Sequence, residues 1–165
     1  MINLNTERMR GNGARNGRNL LYGLNDLCKE YITPDTVMLE LGCHQGISTQ
    51  LFAHYAKKVY TVDVQSCPKN LKGISNIYHY QGKFQEILPA LKEGPFDFIY
   101  IDGVHSYNHI VRDIRLALPL LKKGAPLGGH DYHGDVPRAI ENMFETSPKT
   151  FSDLSWLVYP SHEAL

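Results

Sequence analysis

Cysteine is scarce in this chain. Cys28, Cys43 and Cys67 are the three among 165 residues, and none forms a C-x-x-C pair. That argues against a structural zinc knuckle, and so sparse and odd a set fits a reducing compartment. Long apolar runs are missing too. No stretch approaches the roughly 20 apolar residues of a spanning helix, and the Asn/Arg/Gly-rich segment 1–17 lacks the apolar centre of a signal peptide. The expected location is the cytoplasm, with no membrane partner. Neither charge is in excess: 17 Lys plus Arg balance 17 Asp plus Glu. A neutral chain without a long basic run argues against a general nucleic-acid binder, although Arg8, Arg10, Arg15 and Arg18 crowd the N-terminus.

What is present is an alternation. Residues 1–16 read as a flexible N-terminal arm and 17–165 as one domain. Apolar residues recur at helical spacing from Asn19 to Tyr31, and Thr33-Pro34-Asp35 breaks the pattern. Short apolar runs, read as buried strands, follow at Val37–Leu41, Val59–Val62, Ile77–Tyr80, Phe96–Ile101, Ala125–Gly129 and Trp156–Tyr159. Between them Ile47–Ala56, Phe84–Leu91, Ile110–Leu121 and Val136–Phe144 read as helices. Strand–helix alternation predicts an α/β fold, a mainly parallel sheet with helices on both faces. In such sheets ligands bind beyond the carboxyl ends of the strands, near the point where strand order reverses. Those ends are Glu40-Leu41-Gly42, Asp63, Gln81-Gly82-Lys83, Asp102 and His130-Asp131, and most carry an acid.

The first strand runs into Gly42-Cys43-His44-Gln45-Gly46. Its two glycines allow a tight turn and close approach of backbone to a ligand, but the middle glycine of a dinucleotide fingerprint is absent. A carboxylate at the mouth, Glu40, repels a pyrophosphate and suits an ammonium group. S-adenosylmethionine carries an ammonium and a sulfonium and no phosphate, and Ser48 and Thr49 in the next helix's first turn are placed to take its carboxylate. The plain alternative is a glycine turn capped by Ser48. Asp63 ends the second strand about 20 residues past the loop, where an acid can accept both ribose hydroxyls; a helix cap or turn is the other reading. Val64 and Phe84 are candidates to hold adenine, with Lys83 or Gln81 near its edge, although Phe84 equally suits the core of its own helix.

A second acid pair follows. Asp102 ends the strongest strand and Asp131 the next one, so the two converge if those strands are neighbours. Two carboxylates there can hold Mg²⁺ or another divalent cation, with His130 as a third ligand, while His105 or His130 can accept a proton. Ordinary readings compete: Asp131 can cap a turn, and a lone histidine after Asp-Gly is more often structural.

The stretches VMLELGCHQGIST, VYTVD, FDFIYIDGVHSY and GGHDYH together resemble class I S-adenosylmethionine-dependent methyltransferases. The segment IDGVHSYNHIVRDIRLALPLLKKGAPLGGHDYH narrows the resemblance to the macrocin O-methyltransferase-like and cephalosporin-hydroxylase-like branch, with a more distant likeness to catechol O-methyltransferase. The likeness spans roughly residues 20–145 and implies a seven-stranded Rossmann-like methyltransferase fold with an antiparallel last hairpin. It implies that Glu40, Gly42 and Gly46 surround the methionine end of the donor, that Ser48 holds its carboxylate, and that Asp63 binds ribose; Cys43, His44 and Thr49, on the same loop and helix start, are further candidates to bind the donor. By the same resemblance Asp102 ligates a metal, and His105 stands where the catechol enzyme has a catalytic lysine. The segment 147–165 looks too short for a full final hairpin plus helix, and no lid insertion is visible. The function expected is methyl transfer to oxygen of a small hydroxylated molecule or sugar, in a chain free to form a homo-oligomer. Two other readings stay open. One is a donor-binding accessory module without transfer of its own. The other is a nucleotide-dependent dehydrogenase, which Glu40 and the incomplete glycine fingerprint count against.

Overall fold

The computed structural model describes residues 22–161. The expected arm 1–16 and the expected helix start at Asn19 lie outside the described residues. Helix α1 (Tyr22–Tyr31) precedes β1 (Val37–Leu41), α2 (Ile47–Tyr55), β2 (Lys58–Asp63), β3 (Ile77–Gln81), α3 (Phe84–Ile87), β4 (Phe98–Ile101), α4 (Tyr107–Ala117), β5 (Leu127–Gly129), α5 (Val136–Phe144), β6 (Lys149–Thr150) and β7 (Trp156–Val158). The seven strands form one sheet in the order β3-β2-β1-β4-β5-β7-β6. β1 to β5 pair in parallel, and β7 runs antiparallel to both neighbours. The order reverses between β1 and β4, so a crevice opens beyond their carboxyl ends.

Why the strands read as unbroken apolar runs follows from their two covered faces. Side chains alternate across a sheet. Leu39, Leu41, Val62, Ile99 and Ile101 point to the face covered by Ile110 and Ile114 of α4 and Ala139 and Ile140 of α5. Met38, Val59, Phe98 and Tyr100 point to the other, against Leu24, Leu27 and Cys28 of α1 and Leu51 and Phe52 of α2. Both layers are dry, so neither face tolerates the polar alternation of a half-solvated strand.

The segment after residue 147 supplies a final hairpin only in shortened form, in keeping with its length: two residues of β6 and three of β7 complete the seven strands, with no further helix among the described residues. One expectation changes. The helices expected to reach Leu91 and Leu121 end earlier, at Ile87 and Ala117, each passing into a 3₁₀ turn that carries Pro89 or Pro119. Proline removes a backbone donor and clashes with the preceding turn, so it ends an α-helix. The glycines of β5 have a packing reason. A Cβ on Gly129 would lie 2.4 Å from the Trp156 ring and 2.6 Å from the Ile101 carbonyl oxygen. Their absence lets the fully buried Trp156 close over the sheet end, where its indole Nε1 donates to the His130 carbonyl at 3.1 Å. No described helix is long and apolar enough to cross a membrane.

Candidate active site

Strand alternation decides where Glu40 goes. It lies on the Met38 face, toward α2, and its side chain is fully buried. Ser48 Oγ donates to Oε1 at 2.5 Å and Thr49 Oγ1 to Oε2 at 2.6 Å. Glu40 therefore sits beneath the glycine loop rather than at its mouth, and the two hydroxyls expected to face a ligand carboxylate face Glu40 instead. Burial pushes its carboxyl up to about 7, against the pull of these hydrogen bonds.

The loop itself is held from the second strand. Asp63 Oδ2 accepts from the backbone N–H of Cys43 at 2.9 Å and of His44 at 2.8 Å, and Oδ1 from Gln65 at 2.8 Å. Gly42 adopts φ +94°, and a Cβ there would lie 2.2 Å from the Asp102 carbonyl oxygen. Only glycine lets β1 and β4 leave the sheet this close together. Gly46, at φ 75°, caps α2. His44, with no such freedom, is also held at positive φ, 44°, a conformation that costs about 1–3 kcal/mol and recurs at ligand sites.

Beyond the strand ends lies a cleft of about 620 Å³, lined by Gly42, His44, Asp63, Val64, Lys83, Phe84, Asp102 and His105 among others. Of the residues expected to bind the donor, Glu40, Cys43, Gly46, Ser48 and Thr49 do not line it; they form the floor and frame of the loop. Lys83 is exposed and pairs loosely with Glu86 at 3.8 Å. Phe84 is half-buried, both packed on the core and lining the cleft.

The ends of β4 and β5 bring the second group together. Asp102, His105 and Asp131 each offer a ligand atom within 4.8 Å of the others. His105 Nε2 lies 3.4 Å from Asp102 Oδ1 and 3.2 Å from Asp131 Oδ2. The Asp102 hydrogen bond and the charges of both acids raise its pKa against partial burial. Two carboxylates and an imidazole, each partly exposed, are a donor set that fits a divalent cation. His130 stands behind this trio. Its Nδ1 is 3.4 Å from Asp131 Oδ1 and 4.0 Å from Asp102 Oδ1, and its Nε2 is 3.9 Å from Asp153 Oδ2. Burial works against its protonation, but Asp131, Asp102 and Asp153 outweigh that and lift it to about 9. As a cation below that pH it offers no lone pair, so a role as base or ligand requires it to give up a proton first.

Several residues here escape a reading of strand tips. Asp153, buried in the β6–β7 turn, accepts from Ser155 N at 3.0 Å and Ser155 Oγ at 2.9 Å. Asp113, buried on α4, and its neighbour Arg112 line the cleft together with Gln85. Asp113 had a signal: it is a charge on the apolar stripe of an amphipathic helix. Asp153 had none, because its turn lies in a stretch without periodicity.

Comparison with known proteins agrees with this architecture. Residues 39–132, more than half the chain, match the family described as "Methyltransferase domain". No curated protein sequence matches the chain. Among solved structures it is similar to an rRNA methylase from Streptococcus thermophilus, at TM-score 0.60 and 17% identity over 84% of this chain and 95% of that one. Cofactor-bound Rv0187 from MTB is similar at TM-score 0.62 and 22% identity, over 82% and 77% of the two chains. MycE methyltransferase of the mycinamycin biosynthetic pathway, in complex with Mg, SAH and mycinamycin VI, aligns at TM-score 0.55 and 20% identity over 66% of this chain and 32% of that one. The chain belongs to the methyltransferase-domain family and has the class I, S-adenosylmethionine-dependent architecture.

Proposed function

We propose that this methyltransferase acts on an oxygen of a small hydroxylated molecule or sugar, with a divalent cation held by Asp102, His105 and Asp131. One observation carries the reading: those three ligand atoms converge within 4.8 Å beside a cleft of a size to hold the donor. S-adenosylmethionine supplies the methyl group, and a bound cation lowers the pKa of the acceptor hydroxyl. The chain's own part is placement. The loop from Gly42 to Gly46 and the Asp63 carboxylate hold the donor end of the cleft. Asp102 and Asp131, on adjacent strands, fix the acceptor end, and His130 keeps Asp131 oriented from behind. His105 Nε2 would serve as ligand in this arrangement, and the acceptor's proton would leave to solvent at the exposed face of the cluster as the methyl passes from sulfur to oxygen. Without a cation the same lone pair takes the acceptor's proton.

A second reading is an accessory module that binds the donor without transferring from it. What favours it is exposure: the side chains of Asp102, His105 and Asp131 are between a quarter and two-fifths accessible, with no element closed over them among the described residues. The two separate in one experiment. Label is followed from S-adenosylmethionine into an extract of hydroxylated metabolites, with and without EDTA. Transfer that EDTA abolishes and Mg²⁺ restores, and that Asp102→Ala and Asp131→Ala lose, supports the main reading. EDTA-insensitive transfer removes the cation from it. S-adenosylhomocysteine binding without transfer to any acceptor supports the accessory module.

A further inference from the structure

The C-terminal hairpin grips the end of β5 at more points than strand pairing requires. Beyond the register of Gly129 with Trp156, the Trp156 indole donates to the His130 carbonyl at 3.1 Å, and the Tyr132 N–H donates to the Leu154 carbonyl at 2.9 Å. Both turns joined in this way carry a non-glycine residue in the left-handed region, Asp131 at φ 56° and Leu154 at φ 69°. Aspartate tolerates that conformation and leucine resists it, so it persists at Leu154 because the surroundings over-determine it. What the turn delivers is Asp153, one residue earlier.

Asp153 is 1% exposed. Its Oδ1 accepts from Ser155 N at 3.0 Å and its Oδ2 from Ser155 Oγ at 2.9 Å, and Ser155 Oγ is itself 2.9 Å from the Tyr100 hydroxyl. Helix α1 closes the other side, where a Cβ on Gly23 would lie 2.2 Å from Asp153 Oδ1. The carboxylate so fixed faces His130, whose Nε2 lies 3.9 Å from Oδ2. The opposite edge of the same ring puts Nδ1 3.4 Å from Asp131 Oδ1. Asp131 Oδ2 is left to the other side, 3.2 Å from His105 Nε2. A row of Asp153, His130 and Asp131 thus runs from the buried turn to the cluster, and each nitrogen of the ring meets a carboxylate.

We propose that Asp153 is a positioning residue for the cation: through the His130 ring it holds Asp131 Oδ1 and so presents Oδ2 to the ion. A ligating carboxylate has one geometry only when its other oxygen is held, and a partner that holds it shapes metal affinity without touching the metal. The strained turn at Leu154 and the close approach of α1 at Gly23 then have a common purpose, since both fix the far end of the row. This rests on the cation site of the proposed function.

Calorimetric titration with Mn²⁺ tests it on the wild type, Asp153→Asn, His130→Gln and the double variant. Asparagine keeps the shape of Asp153 and loses its charge. Glutamine keeps a polar group at 130 and loses the second ring nitrogen. Asp153→Asn is expected to weaken Mn²⁺ binding at least about tenfold in the wild-type background. In the His130→Gln background the same change is expected to cost less than about threefold, because residues acting in one row are coupled where independent ones add. A hairpin that is merely loosened lowers affinity equally in both backgrounds. A smaller loss in the wild-type background, or a larger one with His130→Gln, overturns the proposal and leaves the cation site in place. Wild-type protein that binds no Mn²⁺ overturns the cation site and this proposal together. Should Asp153→Asn lose its fold by circular dichroism, a crystal structure of the wild type with Mn²⁺ decides. A His130 ring held between Asp153 and Asp131, with Asp131 Oδ2 on the ion, supports the proposal; a ring turned off Asp153, or Oδ1 on the ion, overturns it.

Discussion

Glu40→Gln isolates the cost of a buried carboxylate. In the folded protein the Glu40 carboxyl is raised from an ordinary 4.5 to about 7, with burial as the largest cause and the Asp102 charge adding to it. A carboxyl raised on folding makes the native state hold more protons than the unfolded chain between those two values. Stability then falls as pH rises through that window and is fully restored below the unfolded value. The gap corresponds to about 3 kcal/mol, at about 1.4 kcal/mol per pKa unit. Glutamine is neutral in both states. Its Oε1 accepts one of the two hydroxyls, and its amide N–H can donate to the other after that hydroxyl rotates. Urea unfolding at pH 4.5 and pH 8 gives four free energies. The wild type is expected to lose about 3 kcal/mol more than the variant between the two conditions, whatever pH-independent cost the amide carries. Parallel pH profiles for the two proteins would refute the reasoning, because they would mean that Glu40 titrates alike folded and unfolded.

Two further substitutions probe the loop. Gly42→Ala places a methyl against the Asp102 carbonyl oxygen in a backbone conformation that alanine resists; a loss of about 2–5 kcal/mol in urea unfolding is expected, and a midpoint equal to wild type would show that the strand ends relax apart freely. Asp63→Ala strips the acceptor from the Cys43, His44 and Gln65 amides; a loss of about 1–3 kcal/mol and at least a tenfold fall in S-adenosylhomocysteine affinity are expected, and unchanged affinity by calorimetry would place the ribose elsewhere.

The fold was legible because both sheet faces are dry, which leaves apolar runs such as Phe98–Ile101 unmistakable, and because the helices between them keep their spacing. The floor of the site was not. Reading Glu40 as the last polar residue before a glycine loop puts it at the mouth; its parity with Met38 puts it under α2, where Ser48 and Thr49 consume the charge. That parity was available in the sequence, but its meaning depends on which helix covers which face, and this is a property of the crossover connections rather than of the strand. The second cluster shows the complementary case. Asp102 and Asp131 could be paired from sequence only on the condition that β4 and β5 are neighbours, and the parallel register of Ile101 with Gly129 meets it. Its third member depended on reach. His130 follows β5 directly, yet Trp156 from the C-terminal hairpin grips its carbonyl and the ring lies back toward Asp153. His105, on the turn before α4, lies between the two acids instead. A residue's distance along the chain from a strand tip thus says less about its place in the cluster than the packing that holds its backbone.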